Sequence, residues 1–485
     1  MRTIDMPPYA PTLMESTRNI GYSVEAAIAD IIDNSITALA TKIDVNFFPE
    51  KNPYICILDN GVGMSLYELK NAMQYGSKNP LEIRNENDLG RYGLGLKTAS
   101  LSQCRKLTVI SKKNKKVVGC KWDLDYVKTR QNWALQILEE EDFRYIPCID
   151  KLDNYDSGSL VIWQDLDKFA VGEKDIHTAL NIKMNSTRDH LALVFHRYLS
   201  GESGLTKIKI FMNSNEVEPN DPFLVKKSNQ LMAAETITIR GQNVIVTPYI
   251  LPHISNLTKK ELEDLGGKEG LRKSQGFYVY RNKRLICWGT WFRLMRQGDL
   301  SKLARVKVDI PNSLDDLWTL DIKKSTAIPP DEVKKNLAII IDKISEGSKR
   351  TWTYRGKKEI KDDVVHLWTP MKVRGSKYYT INRDHPLVES IVEEFPEVRR
   401  KLDILLEQIG LMLPLNSLYV DLTNDEKLIN ESEITVNEVV EKVKVLLSGY
   451  ESIEEKKTVL NGLKNVDMFL EYYDILMCMV DRGEL

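Results

Sequence analysis

The sequence has little of what a secreted, metal-stapled or membrane-bound protein needs. Its six cysteines, at positions 56, 104, 120, 148, 287 and 478, form no CxxC pair. That argues against a zinc module and fits a reducing compartment. Its six histidines are dispersed and suggest no metal cluster. No stretch approaches the roughly eighteen apolar residues of a membrane span, and the opening MRTIDMPPYAPTL has no apolar core of signal-peptide length. A soluble, intracellular, cytoplasmic protein with no membrane partner is expected. Charge of one sign is also missing: 68 Lys+Arg stand against 69 Asp+Glu, a net charge of −1. Any nucleic-acid surface must therefore be local rather than global. The 485 residues, 42% of them hydrophobic, suffice for a substantial core, and the length suggests about two to four domains.

What is there begins with Ser23–Leu39, SVEAAIADIIDNSITAL. As a helix it is apolar nearly all round, at Val24, Ala27, Ile28, Ile31, Ile32, Ile36 and Leu39. One narrow polar stripe interrupts it: Asp30, Asp33, Asn34 and Thr37 fall at helical spacing and share a face. Most such stripes are solvated. A helix this apolar is normally buried, however, and unpaired carboxylates in a core are costly. Water, a metal ion or a polar ligand is expected to meet the stripe.

Two glycine-bearing turns follow. The strand Tyr54–Leu58 ends in Asp59-Asn60-Gly61-Val62-Gly63-Met64, and glycines one apart after a strand-end carboxylate predict a sharp turn with closely approached backbone. Ser65 with Glu68 predicts a capping box at the next helix. Further on, Gly90-Arg91-Tyr92-Gly93-Leu94-Gly95-Leu96-Lys97-Thr98 is a glycine-rich loop running into a helix start, an arrangement that offers N–H groups to an anion.

The series AIADIIDNSITA, LDNGVGM and GRYGLGLKTAS resembles the GHKL ATPase superfamily of gyrase, heat-shock chaperone, histidine kinase and MutL type, nearest its MORC-like, MutL-related branch. The resemblance implies an α+β fold: a GHKL (Bergerat) α/β sandwich over 1–170, a transducer-type α/β domain over 171–348, and a mainly helical region over 349–485 for dimerisation or partner docking. It implies ATP and Mg²⁺ as cofactors, with Asn34 holding the metal and Asp59 reading the adenine amino group. Gly61, Gly63 and Met64 would lie along the base, while Gly90, Arg91, Tyr92, Gly93, Leu94, Gly95, Lys97 and Thr98 would form the phosphate lid. Gly158-Ser159 stands where the family has a Gly-Thr pair, which puts Ser159 in the site. Lys324, with Lys323 beside it, matches the strand-borne lysine that reaches the terminal phosphate. Asp30 stands where the family has the glutamate that activates water; it is one methylene shorter, so slow turnover is expected. A sensor kinase is not expected, since the first histidine is His177.

The implied function is an ATP-hydrolysing switch or clamp. It would dimerise on ATP and act on DNA, in a bacterial restriction-modification or anti-phage setting with a nuclease, helicase or methylase partner. A nucleotide-sensing scaffold without turnover, a heat-shock-type chaperone and a topoisomerase ATPase subunit are the rivals. Between Arg281 and Lys307, eight basic residues (281, 283, 284, 293, 296, 302, 305, 307) face one acid, Asp299, with Trp288, Trp291 and Phe292 among them. Such a run fits non-sequence-specific backbone contact with DNA, or equally a basic face that pairs with acids elsewhere in this neutral chain. The strand Lys207–Phe211 is expected to open the second domain, and stripes at 402–409, 436–447 and 466–477 predict C-terminal helices.

Overall fold

The computed structural model describes residues 3, 4, 6, 8–19, 21–76, 89, 95–169, 175–230, 234–298, 301–315, 317–320, 327–341, 365–373, 376–413, 436–464, 466–470 and 472–485. It divides into two compact units, Met1–Arg355 and Gly356–Leu485.

The first unit is built on α2 (Val24–Thr37), which follows α1 (Ala10–Arg18). Ser23 caps α2 by accepting from the Ala26 N–H, which satisfies one of the amides a helix start leaves open. The strands are β1 (Lys42–Phe48), β2 (Tyr54–Asp59), β3 (Lys106–Lys113), β4 (Lys116–Asp123), β5 (Gln136–Ile137), β6 (Gly158–Gln164), β7 (Lys209–Met212) and β8 (Asn215–Glu216). Among the described residues they form an eight-stranded sheet in the order β5-β4-β3-β6-β2-β1-β7-β8. One face, carrying Ile43, Val45, Ile55, Ile57, Val109, Val161 and Trp163, packs with α2 residues such as Ile28 and Ile32. The other face, with Cys56, Leu58, Ile110, Leu160 and Ile162, is covered by the 142–154 segment through Leu152 and Phe143. Between β2 and β3 lie α3 (Leu66–Met73), with the Ser65/Glu68 capping box formed, and α4 (Gly95–Leu101).

β7 corrects one expectation. The segment around Lys207–Phe211 does not open a second domain; it pairs in parallel with β1, Ile43 opposite Ile210 and Val45 opposite Met212. Parallel neighbours need a long crossover, and the helix Ile176–Val194 lies in it. Ile210 and Met212 are fully buried, so β1's open edge gains a partner that extends the same apolar face.

The second sheet contains β9 (Asn229–Gln230), β10 (Glu235–Ile239), β11 (Gln242–Ile250), β12 (Gly276–Arg281), β13 (Arg284–Thr290) and β14 (Ala304–Ile310). Its order is β10-β11-β14-β12-β13, with β9 on β11 and β12 parallel to β14. Val246, Phe277, Val279, Val306 and Val308 form its core with Trp318 and with Val333 and Leu337 of the helix over 331–341. Hairpin tips at Asn114-Lys115, Asn213-Ser214 and Asn282-Lys283 all have positive φ, the two-residue geometry that matches strand twist and that asparagine tolerates.

The basic run from Arg281 to Lys307 is not the exposed phosphate-binding surface its composition predicts. Arg281, Arg284, Lys302 and Arg305 are buried. Arg281 pairs with Asp315 at 2.7 Å, and Arg305 donates to the Lys302 and Ala304 carbonyls. Inside the fold these cations are held by intramolecular acceptors, as a buried charge requires. Arg293 and Arg296 are the members that lie exposed.

In the second unit a hairpin, Trp368–Val373 with Ser376–Ile381, precedes helices Pro386–Glu394 and Arg399–Leu411. Helices Val436–Leu447, Ile453–Leu463 and Tyr473–Asp481 share a core of Val439, Val443, Leu460, Leu476 and Val480. The 402–409 stripe is less buried than its pattern suggests, with Leu405 and Ile409 exposed. Among the described residues no helix is long and apolar enough to cross a membrane.

His196, at the start of the helix His196–Ser200, is buried against Tyr280, with Nε2 2.7 Å from the Tyr280 hydroxyl. Burial, with Arg197 nearby, holds its pKa down at about 3. The unfolded chain therefore binds a proton near pH 6.5 that the folded chain does not bind until about pH 3. Stability from this residue is intact above that upper value and is lost as the pH falls through the window, by about 2 kcal/mol at pH 5. Urea midpoints at pH 7 and pH 5 should converge in His196→Gln relative to wild type.

Candidate functional site

The stripe on α2 divides into a buried half and an exposed half. Asp30 and Asp33 are 4% and 1% exposed, whereas Asn34 and Thr37 lie at the surface. The buried carboxylates are met by the protein's own side chains. Tyr22, one residue before the helix cap, donates its hydroxyl to Asp30 Oδ2 at 3.0 Å. Arg284 of β13 pairs through Nε with Asp33 at 3.2 Å and brings Nη2 to 4.0 Å from Asp30 Oδ1. The helix therefore keeps its charges by pairing them with a residue from the second sheet, a partner the stripe alone does not announce.

Asp59 ends β2 close by, 6% exposed. Its carboxylate accepts from Ser35 Oγ at 2.9 Å, from the Gly61 N–H at 2.9 Å and from the Ser159 N–H at 3.2 Å. Burial raises its pKa, and these donors oppose the rise by favouring the ionised form. A carboxylate has about four acceptor positions, so three donors leave room for one more. Ser35 lies one position beyond Asn34 on α2, so the helix supports the strand-end carboxylate directly.

The turn after Asp59 owes its glycines to packing. A Cβ at Gly61 would stand 2.7 Å from the Ala38 carbonyl oxygen, and the next amide, Val62 N–H, already bonds that oxygen. Gly63 has φ of +66°, and a Cβ there would reach 2.0 Å from the Lys112 carbonyl oxygen. The Met64 N–H donates to Ser111 Oγ at 2.7 Å, and Ser111 in turn bonds Ser159 at 2.9 Å. Thus Asp59, Gly61, Gly63, Met64 and Ser159 form one wall beside α2.

Gly95 opens α4, and a Cβ on it would lie 3.5 Å from Asp30 Oδ2, so this helix start abuts the catalytic candidate. Thr98 is buried on the same helix. Lys97 is placed differently from a phosphate ligand: its ammonium donates to the Ala72 and Gln74 carbonyls at 2.9 and 3.0 Å. There it caps the C-terminal end of α3, where a cation complements the open carbonyls. Gly90, Arg91, Tyr92, Gly93 and Leu94 lie outside the described residues, as do Lys323 and Lys324.

Sequence reasoning missed Tyr22, Ser35, Ser111 and Arg284. Tyr22 and Ser35 are adjacent to recognised features, but hydroxyls carry no periodic signal of their own. Arg284 could be found from its place beside a two-residue hairpin tip, yet its partner lies 251 positions away.

Residues 22–159 match the family described as histidine kinase-, DNA gyrase B- and HSP90-like ATPase. The chain is 37% identical over 93 residues to "ATPase MORC2B" of Mus musculus, covering 18% of this chain and 9% of that protein. It is 30% identical over 90 residues to "ATPase morc-1" of Caenorhabditis elegans, covering 18% of this chain and 10% of that one. The matched stretch spans about a tenth of the length of these curated relatives.

Gly63→Ala should destabilise the fold by about 2 kcal/mol or more, since it adds a backbone clash to a left-handed φ. Gly76→Ala, also at positive φ but with nothing within 4 Å of its Cβ, should cost only about 1 kcal/mol. Chemical denaturation of both variants isolates the clash; equal losses would contradict the packing assignment.

Proposed function

We propose that the chain, which carries a GHKL-type ATPase domain related to that of the MORC ATPases, is an ATP-binding and ATP-hydrolysing conformational switch. The observation that carries the proposal is Asp59: a buried strand-end carboxylate held by three donors, with acceptor capacity left for an exocyclic amine. Gly61, Gly63 and Met64 would flank the base, and Ser159 would close that side of the site.

The residues present fit a magnesium ion carried by the nucleotide. Asn34 is exposed on α2, and its amide oxygen is the hard donor such an ion takes, with phosphates and water completing the shell. Bound there, the ion would neutralise charge on the phosphates. Asp30 would accept the proton of the attacking water, its carboxylate oriented by the Tyr22 hydroxyl. Gly90 to Gly95, Lys97 and Thr98 would surround the phosphates, and Lys324, with Lys323 beside it, would contact the terminal one. Contact by Lys97 requires its ammonium to leave the α3 carbonyls.

In this reading 1–170 binds nucleotide, 171–348 transmits its state, and 349–485 docks a partner or a second copy. DNA is the ligand acted upon, ATP drives homodimerisation, and the setting is cytoplasmic, in bacterial restriction-modification or anti-phage defence. A nuclease, helicase or methylase would be the partner. The second reading, a nucleotide-sensing scaffold, is favoured by the short Asp30 side chain and its existing bond to Tyr22.

Calorimetry with ATP and magnesium, beside a phosphate-release assay, separates these readings. Wild type should bind and release phosphate, and Asp30→Ala should keep binding while losing on the order of 10²-fold or more in rate. Asp59→Ala should abolish binding. Binding without release would leave the scaffold standing, and no binding heat would remove both readings.

A further inference from the structure

We propose that the β12–β13 hairpin is a strut by which the second sheet sets the position of the catalytic helix, with Arg284 as the positioning residue. The proposal rests on the ATPase reading above and adds to it a route by which the second sheet governs turnover.

The hairpin turns at Asn282-Lys283, and Arg281 and Arg284 face each other across it. Both side chains are buried. Two buried guanidinium groups in one cross-strand pair repel unless each has its own acceptors. Here they diverge to opposite targets. Arg281 places Nε 2.8 Å from Asp315 and donates Nη1–H to the Leu89 carbonyl at 3.0 Å. Arg284 turns to α2, where it meets Asp33, and it donates Nη1–H back to the Leu285 carbonyl at 2.9 Å. Its guanidinium also lies 5.9 Å over the Phe195 ring. The turn itself is held by Tyr198, whose hydroxyl donates to the Asn282 carbonyl at 2.6 Å. One rigid turn thus touches two separate pieces of the first layer, α2 at Asp33 and the chain at Leu89.

Asp33 lies three residues after Asp30, nearly one helical turn, so restraint at Asp33 fixes the rotation of α2 and with it the direction of Asp30. The 4.0 Å gap from Arg284 to Asp30 is too long for a hydrogen bond, which leaves Asp30 free to keep its Tyr22 bond while its neighbour is clamped. A one-ångström misplacement of a base is enough to slow proton transfer about a hundredfold. Any movement of the second sheet would pass to Asp30 along this path.

The test uses the full-length chain with Arg284→Gln, Arg284→Lys and the double variant Arg284→Gln/Asp33→Asn. Lys283→Ala, on the same turn, is the control. Arg284→Gln should lower the rate of phosphate release at least tenfold while the calorimetric ATP affinity stays within about threefold. Lysine, which keeps the charge but not the fork, should recover part of the rate. The double variant, which also removes the charge that Arg284 pairs, should melt closer to wild type than Arg284→Gln does. Independently of turnover, hydrogen exchange over residues 24–37 should quicken in Arg284→Gln and not in Lys283→Ala. An unchanged rate with unchanged exchange in α2 would overturn the strut, as would a loss of affinity in step with rate. Should wild type release no phosphate, the ATPase reading fails, and the exchange comparison alone decides the strut.

Discussion

Two buried carboxylates on one turn of an otherwise apolar helix are the constraint on which this structure depends. Asp30 and Asp33 cannot be left uncompensated inside a core, because an isolated charge there loses far more hydration than packing returns. The pairing with Arg284 and the bond from Tyr22 resolve that demand. Removing one partner of such a buried pair costs about 3–5 kcal/mol, a large part of a domain's net stability. The helix and the second sheet are therefore joined by more than apolar contact, through the Arg284–Asp33 ion pair.

The strand-end carboxylate follows a different logic. Asp59 is fixed by local geometry, from a helix hydroxyl, its own turn and a neighbouring strand. Burial raises its pKa and the three donors work against that rise by favouring the ionised form. Gly61 and Gly63 make that geometry possible by letting the turn pass within contact of Ala38 and Lys112. Their role in the folded chain is steric closeness to protein backbone, whatever they also permit for a ligand.

Charge in the second sheet shows why composition is a weak guide to surfaces. Eight cations in 27 residues suggest a phosphate track, yet four of them are buried in the fold. There they hold Asp315, Asp33 and backbone carbonyls. The same residues that resemble a nucleic-acid surface in one dimension act as internal ties in three.

The sequence by itself determined the local features. The apolar helix with its stripe, the strand ending in Asp59, the Ser65/Glu68 capping box and the hairpin tips all follow from spacings of two to four residues, set by helix and strand periods and by turn chemistry. Legible too was the wall that brings Asp59, Gly61, Gly63 and Ser159 together, through the family pattern. What only the tertiary structure decided are the long-range pairings. β7 joined the first sheet because β1 had an open edge and an apolar face to extend. Lys97 went to the end of α3, and Arg284 went to Asp33 across 251 positions. A buried charge must find a counter-charge, but the chemistry of neither residue says which one. That choice belongs to the packing of two sheets, whose energy is spread over many contacts and is written in no single motif.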